Sequence, residues 1–296
     1  MSLRMRKADS GFTLIEMMVG MVVGMIMLIA TAAVFANTKK AFVFQNAQSE
    51  IAQEGRFGVD LLRRLIGQAG YRATPTTTAA YAVPAAGATT PPFTAAVEMD
   101  TTGAILKLRF QSDGTQIGCD GAQIAATSDM TTQFSEVWIK YDATNKVLQC
   151  GLTSGTASTA ASAPSSYVDL IGTSNSATNP SPVQVDGFTP SLGFDTSITA
   201  AGTNAAGCTY PGSYQGDCLA KEYDTFSTSL GSSPYDWQRV VAVRVCVKIE
   251  TINNVVPSGQ TYSYVDCAGA LHTGQSGTTL IRTITATSRV HNLLNA

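Results

Sequence analysis

Residues 12–36, FTLIEMMVGMVVGMIMLIATAAVFA, form an apolar run of 25 residues that carries one charge, Glu16. Wound as an α-helix at about 1.5 Å per residue, this run reaches roughly 37 Å, enough for the ~30 Å hydrocarbon core of a bilayer. Beyond Asn37 the apolar positions thin out to Phe44, Ala47, Ile51, Gly58, Leu62, Leu65 and Ala69, spaced mostly by three, four or seven residues. That spacing predicts one buried face on a helix that has left the membrane. No proline stands between Gly11 and Pro75, so nothing forces a kink, and a single helix is predicted from Phe12 to about Gly67. Asp60 and Arg64 are placed to pair across one turn on its polar side.

Downstream the period changes from helical to alternating. ILKLRFQ (105–111), EVWIKYD (136–142), KVLQCGL (146–152), RVVAVRVCVKIE (239–250), TYSYVDC (261–267) and LIRTITATSRV (280–290) alternate or are rich in β-branched residues. Ala143-Thr144-Asn145 is predicted to close a hairpin, and Asp113-Gly114, Asp120-Gly121 and Asp186-Gly187 are predicted turns. Residues 75–103 and 153–182, rich in Thr, Ser, Ala and Pro, lack either period and are expected on the surface as loops. The expected fold class is α+β: a long N-terminal helix whose second half packs on an antiparallel sheet. The expected division is a leader at 1–11, the helix at 12–67 and a β-rich globular domain at 68–296.

Composition changes this picture in two respects. Charged residues are only 14% of the chain while 44% is hydrophobic, which suits an exported, β-rich protein with a substantial core. Arg4, Arg6, Lys7 and Asp9 give the leader a charge of +2, and the whole chain carries −2, so the part after Gly11 stands at −4. A positive start before an apolar run keeps the leader cytoplasmic and sends the remainder across. All six cysteines (Cys119, Cys150, Cys208, Cys218, Cys246 and Cys267) fall on the exported side, where disulfides form. Six cysteines allow many pairings; locality favours Cys119 with Cys150, Cys208 with Cys218 and Cys246 with Cys267.

Catalytic and ligand-binding signals are missing. No G-x-S-x-G, H-E-x-x-H or P-loop pattern occurs, and His272 and His291 are not spaced with the cysteines as metal ligands. His272 is expected in a Gly/Thr-rich loop. No enzyme activity, cofactor, metal or small-molecule substrate is expected. Nucleic acid is not an expected partner either, because Arg56, Arg63, Arg64 and Arg72 suit a solvated helix face or subunit contacts better than a basic groove.

An ordinary secretory signal would have a shorter apolar run and a small-residue cleavage site after it. Here the run is long and starts directly after Gly11. Gly11-Phe12-Thr13-Leu14-Ile15-Glu16 behind a short basic leader resembles the type III signal of type IV prepilins and pseudopilins. The resemblance implies cleavage between Gly11 and Phe12 by prepilin peptidase and N-methylation of the new Phe12 amine. It also implies that Glu16, a carboxylate costly to place in lipid, meets the Phe12 amine of a neighbouring subunit during assembly. Gly20 and Gly24 form a G-x-x-x-G pattern suited to close helix packing. Arg56-Phe57-Gly58, Ala69-Gly70-Tyr71, Trp237 before residues 240–245, Arg282-Thr283 and Arg289-Val290-His291-Asn292 further resemble PilW-like minor pilins. The partners this implies are other major and minor pilins and the inner-membrane assembly platform, and the implied location is the inner membrane before assembly and the pilus afterwards. The alternatives are a type II secretion pseudopilin and a DNA-uptake pilin.

Overall fold

The computed structural model describes residues 13–71, 96–100, 104–128, 133–156, 161–173, 181–195, 199–200, 208–210, 214–216, 219–224, 240–257, 259–276 and 278–290. The chain divides into two compact units, Met1–Asn46 and Ala47–Ala296. One helix, α1 (Leu14–Gln68), crosses the division. Its end lies one residue from the expected boundary.

Within the second unit, α1 buries Ala47, Ile51, Gly55, Gly58, Val59, Leu62, Leu65 and Ile66. This is the predicted face, enlarged by Gly55, Val59 and Ile66 and narrowed by Phe44, which is only half-buried. Asp60 meets Arg63 at 3.5 Å on the exposed side, one residue short of the expected Arg64. An i,i+3 partner lies as near as an i,i+4 one on a helix surface, so the spacing alone did not decide between them.

Two main antiparallel sheets replace the single sheet expected. The first runs β1 (Val97–Met99), β2 (Ile105–Phe110), β3 (Gln133–Asp142), β4 (Val147–Thr156) and β5 (Val168–Ile171), each strand beside the next. Asp142 closes the β3–β4 turn by accepting from the amides of Thr144 and Asn145 at 2.9 and 3.2 Å, and Lys146 takes a positive φ of 54°. The second sheet combines β6 (Val183–Phe194), β10 (Glu222–Asp224), β11 (Val240–Asn254) and β14 (Thr279–Arg289) in the order β10-β6-β11-β14. Short pieces β7 (Thr199–Ala200), β8 (Cys208–Tyr210) and β9 (Tyr214–Gly216) pair together, and β12 (Tyr262–Val265) with β13 (Leu271–Gln275) forms a hairpin.

Two further expectations fail here. Asp186-Gly187 is not a turn; it lies within β6, where the register with β11 slips between Lys248 and Ile249. A β-bulge absorbs the extra residue and leaves the strand continuous. His272 lies on β13, not in a loop: its ring stacks on Tyr264 with centroids 4.7 Å apart and its Nε2 is 2.8 Å from the Asp266 carboxylate.

The helix sits close to both sheets because two glycines face them. A Cβ at Gly55 would come within 1.9 Å of Ile284 Cδ1, and one at Gly58 within 2.3 Å of Ile171 Cγ1. Around this contact Leu106, Leu108, Phe110, Ile139, Leu192, Val243, Val247 and Ile249 are sealed from solvent. Outside the apolar core, Arg109 bridges Glu98 and Glu136, and Trp138 Nε1 donates to Glu136. Arg109 and Glu136 are 5% and 1% exposed, so the pair is buried.

Disulfides join Cys119 to Cys150 and Cys246 to Cys267, with Cα separations of 5.5 and 5.7 Å. Of the expected Cys208–Cys218 pair, Cys218 lies outside the described residues, as do Arg72, Trp237, His291 and Asn292. Gln68, at the end of α1, anchors the Cys119 loop: its side-chain amide donates to Ile117 O at 3.0 Å and its Oε1 accepts from Ile117 N at 2.6 Å. In the same loop Asp113 accepts from Tyr71 Oη and from the Thr115 hydroxyl and amide.

Candidate membrane and assembly site

The head of α1 is built by two side chains three positions apart, Thr13 and Glu16. Thr13 precedes the first helical residue, and its amide and hydroxyl both donate to Glu16 Oε2, at 3.0 and 2.9 Å. Glu16 N returns a longer bond of 3.4 Å to Thr13 Oγ1, and Thr13 O accepts the first helical bond from Met17 N at 3.3 Å. This is a capping box, in which residues N-cap and N3 satisfy each other's otherwise orphaned donors. The carboxylate also faces the positive end of the helix dipole. Thr13 was not singled out by the sequence reading, although Thr-x-x-Glu immediately before an apolar run is the signature of this device.

The helix beyond is apolar and bare. Leu14, Met18, Met21, Met25, Leu28 and Phe35 are all exposed, and the most apolar window is wholly unburied. By length and composition this helix can cross a membrane. Its few hydroxyls leave nothing unsatisfied: Thr31 Oγ1 bonds Met27 O and Leu28 O at 3.0 Å each, and Thr38 Oγ1 bonds Val34 O at 2.9 Å. Such back-bonding is what lets a threonine lie in lipid. Lys39 and Lys40 follow directly.

Gly20 and Gly24 have nothing within 4 Å of a Cβ built on either. They mark a strip where another helix could approach to backbone distance. Gly11 and Phe12 lie outside the described residues. Thr13 and Glu16 are therefore the two functional candidates that the fold brings together, while Gly20 and Gly24 stand one and two turns further along the same helix.

Residues 6–32 match the family described as the prokaryotic N-terminal methylation motif. No curated protein matches the sequence. Among solved structures, a type IV-like pilin from Thermus thermophilus aligns at a TM-score of 0.42 and 14% identity, over 82% of this chain and 97% of that one. The chain thus carries a prokaryotic N-terminal methylation motif at the head of a long apolar helix, with antiparallel sheets behind it.

Proposed function

We propose that the chain is a minor pilin, a structural, non-catalytic subunit that primes or caps a type IV pilus through contacts with other pilins. The single observation that carries this reading is the capped Glu16, the one carboxylate in the apolar stretch of α1 up to Ala36, along which no residue is buried. A bare apolar helix is stable only in lipid or among other such helices. The same surface thus serves twice, first in the inner membrane and then in a filament core.

In this reading prepilin peptidase cuts between Gly11 and Phe12 and methylates Phe12, and the domain from residue 68 onward lies in the periplasm until assembly carries it to the surface. Glu16 then exchanges Thr13 for the Phe12 amine of a neighbour, and Gly20 and Gly24 let the helices close together. The PilW-like features, Arg56-Phe57-Gly58 on the exposed and buried sides of α1 and Arg282-Thr283 on β14, support a minor over a major subunit.

Mass spectrometry of the mature protein tests the processing: N-methylated Phe12 is expected as the first residue, and an N-terminus beyond Ala30 would overturn the assembly scheme. Deletion of the gene is expected to abolish pili and twitching while leaving protein secretion intact. Loss of secretion with normal pili would assign the chain to a type II secretion pseudopilus instead.

A further inference from the structure

The two edges of the second sheet are treated differently by the sequence. On the β6 side, β10 covers Leu192–Phe194, Pro190 has no amide to offer, the strand bulges at Asp186, and Val185 N donates to Lys146 O at 2.7 Å. Short cover, proline and bulges are the usual means of blunting a sheet edge. The first sheet ends in strands of three and four residues, β1 and β5, which offer little edge at all.

On the β14 side these devices are missing. Val290 N bonds Val241 O, and the register places Ala242 opposite Arg289, so even-numbered residues of β14 exchange hydrogen bonds with β11. Odd-numbered residues then turn their N–H and C=O groups outward. Ile281 N and Thr279 O are both satisfied by Tyr262 Oη, at 3.0 and 2.7 Å. After that the row is open: the backbone groups of Thr283, Thr285 and Thr287 have no partner among the described residues. The buried Thr283 Oγ1 lacks one as well. The stretch RTITATS (282–288) contains no proline, glycine, lysine or acidic residue, and it pairs with β11 without a bulge from Glu250 to Ala242.

We propose that the outer edge of β14 is a strand-docking site that accepts an extended segment of another subunit, which adds a fifth strand to this sheet. Only a backbone supplies donors and acceptors in the alternating row that Thr283, Thr285 and Thr287 present. Arg282, exposed at the head of the row and without an ion pair among the described residues, selects a segment with a carboxylate opposite it. A second copy docking antiparallel is disfavoured by the helix. Gly55 packs at Ile284 and Arg63 O meets Ser288 Oγ at 3.5 Å, so this part of α1 runs in the sense of β14. Antiparallel self-pairing about Thr285 would set the two copies' helices in opposite senses, which does not suit subunits anchored in one membrane.

The inference rests on the reading that the chain joins an assembly of pilin-like subunits, and one experiment separates the two. Hydrogen exchange is read residue by residue along β14 in the full chain, once in detergent and once in the sheared, assembled fraction. The outward amides of Thr283, Thr285 and Thr287 are expected to slow at least about tenfold on assembly, while those of Ile284 and Ala286, already bonded to β11, stay unchanged. Thr285→Pro removes only an outward donor and is expected to abolish the protection; Thr285→Val keeps the amide and the protection, and Arg282→Glu weakens it. Absence of the chain from the assembled fraction would sink the assembly reading. Presence with unprotected outward amides would overturn the docking site alone, and so would protection that rises with concentration in the purified chain, which would mean self-pairing.

Discussion

Gly55 of α1 lies directly against Ile284 of β14, so close that a Cβ on the glycine would overlap the Cδ1 atom of the isoleucine at 1.9 Å. The next atom inward, Ile284 Cγ1, would be 3.4 Å away, and Ile249 Cδ1 3.0 Å. Gly55→Ala is expected to cost about 1–3 kcal/mol through overpacking, offset by about 1 kcal/mol of helix propensity. Ile284→Val deletes the clashing methyl, so the double variant should be more stable than the sum of the singles predicts, as measured by denaturant unfolding of the detergent-solubilised chain. Strict additivity would show that the helix is not seated on this contact.

Thr13→Ala removes the hydroxyl that Glu16 accepts from and should destabilise the start of α1 by about 1 kcal/mol. The measurement is amide exchange at residues 14–17 in micelles, expected to quicken severalfold, with Thr13→Ser restoring the wild-type rate. Glu16→Ala should quicken the same amides and, in cells, permit cleavage while blocking incorporation into filaments. Normal incorporation would make the carboxylate a capping residue only.

Arg109 and Glu136 form a buried pair, and removing one partner strands the other. Arg109→Ala is expected to cost about 3–5 kcal/mol. Thermal unfolding checks this, and adding Glu136→Gln to Arg109→Ala, which keeps the acceptor and removes the stranded charge, is expected to recover part of the loss; no recovery would assign the cost to packing.

The Thr115 hydroxyl, followed by Tyr71 Oη and the Thr115 amide, holds the Asp113 carboxyl well below the usual range, to about 2. Because the folded value is depressed, its stabilising effect is present at and above the ordinary carboxylate range and is lost as pH falls through about 2. Carbon-detected NMR titration should find that midpoint, with Thr115→Val moving it upward further than Tyr71→Phe does. An equal or reversed order would reassign the cause.

Strong periodicity made much of this fold legible. The helix, β2, β3, β4, β11 and β14 each follow a run whose period of 3.6 or 2 persists for six residues or more. β6 did not show itself, although it is central to the second sheet, because Asp186-Gly187 and Thr189-Pro190 carry the chemistry of turns. A bulge accommodates the first pair, and Pro190 is tolerated because its missing amide faces away from β11. No local pattern distinguishes such a strand from a loop. The division into two sheets was hidden for a related reason: strand pairing is long-range, and β6 joins β11 across nearly fifty residues that have no clear period. At the N-terminus the processing motif was plain, whereas Thr13 was overshadowed by the charge of its partner.

The two described disulfides each tie a sheet to its own fringe. Cys119 belongs to the loop that follows β2 and Cys150 to β4 of the same sheet; Cys246 belongs to β11 and Cys267 to the turn of the hairpin lying beside β14. Neither bond runs from one main sheet to the other, so the apolar contacts that unite the sheets with α1 do not wait for oxidation. The chain emerging into an oxidising space can thus settle its interior first and rivet its trimmings afterwards, and a reductant would fray the outline of the molecule before it reached the middle.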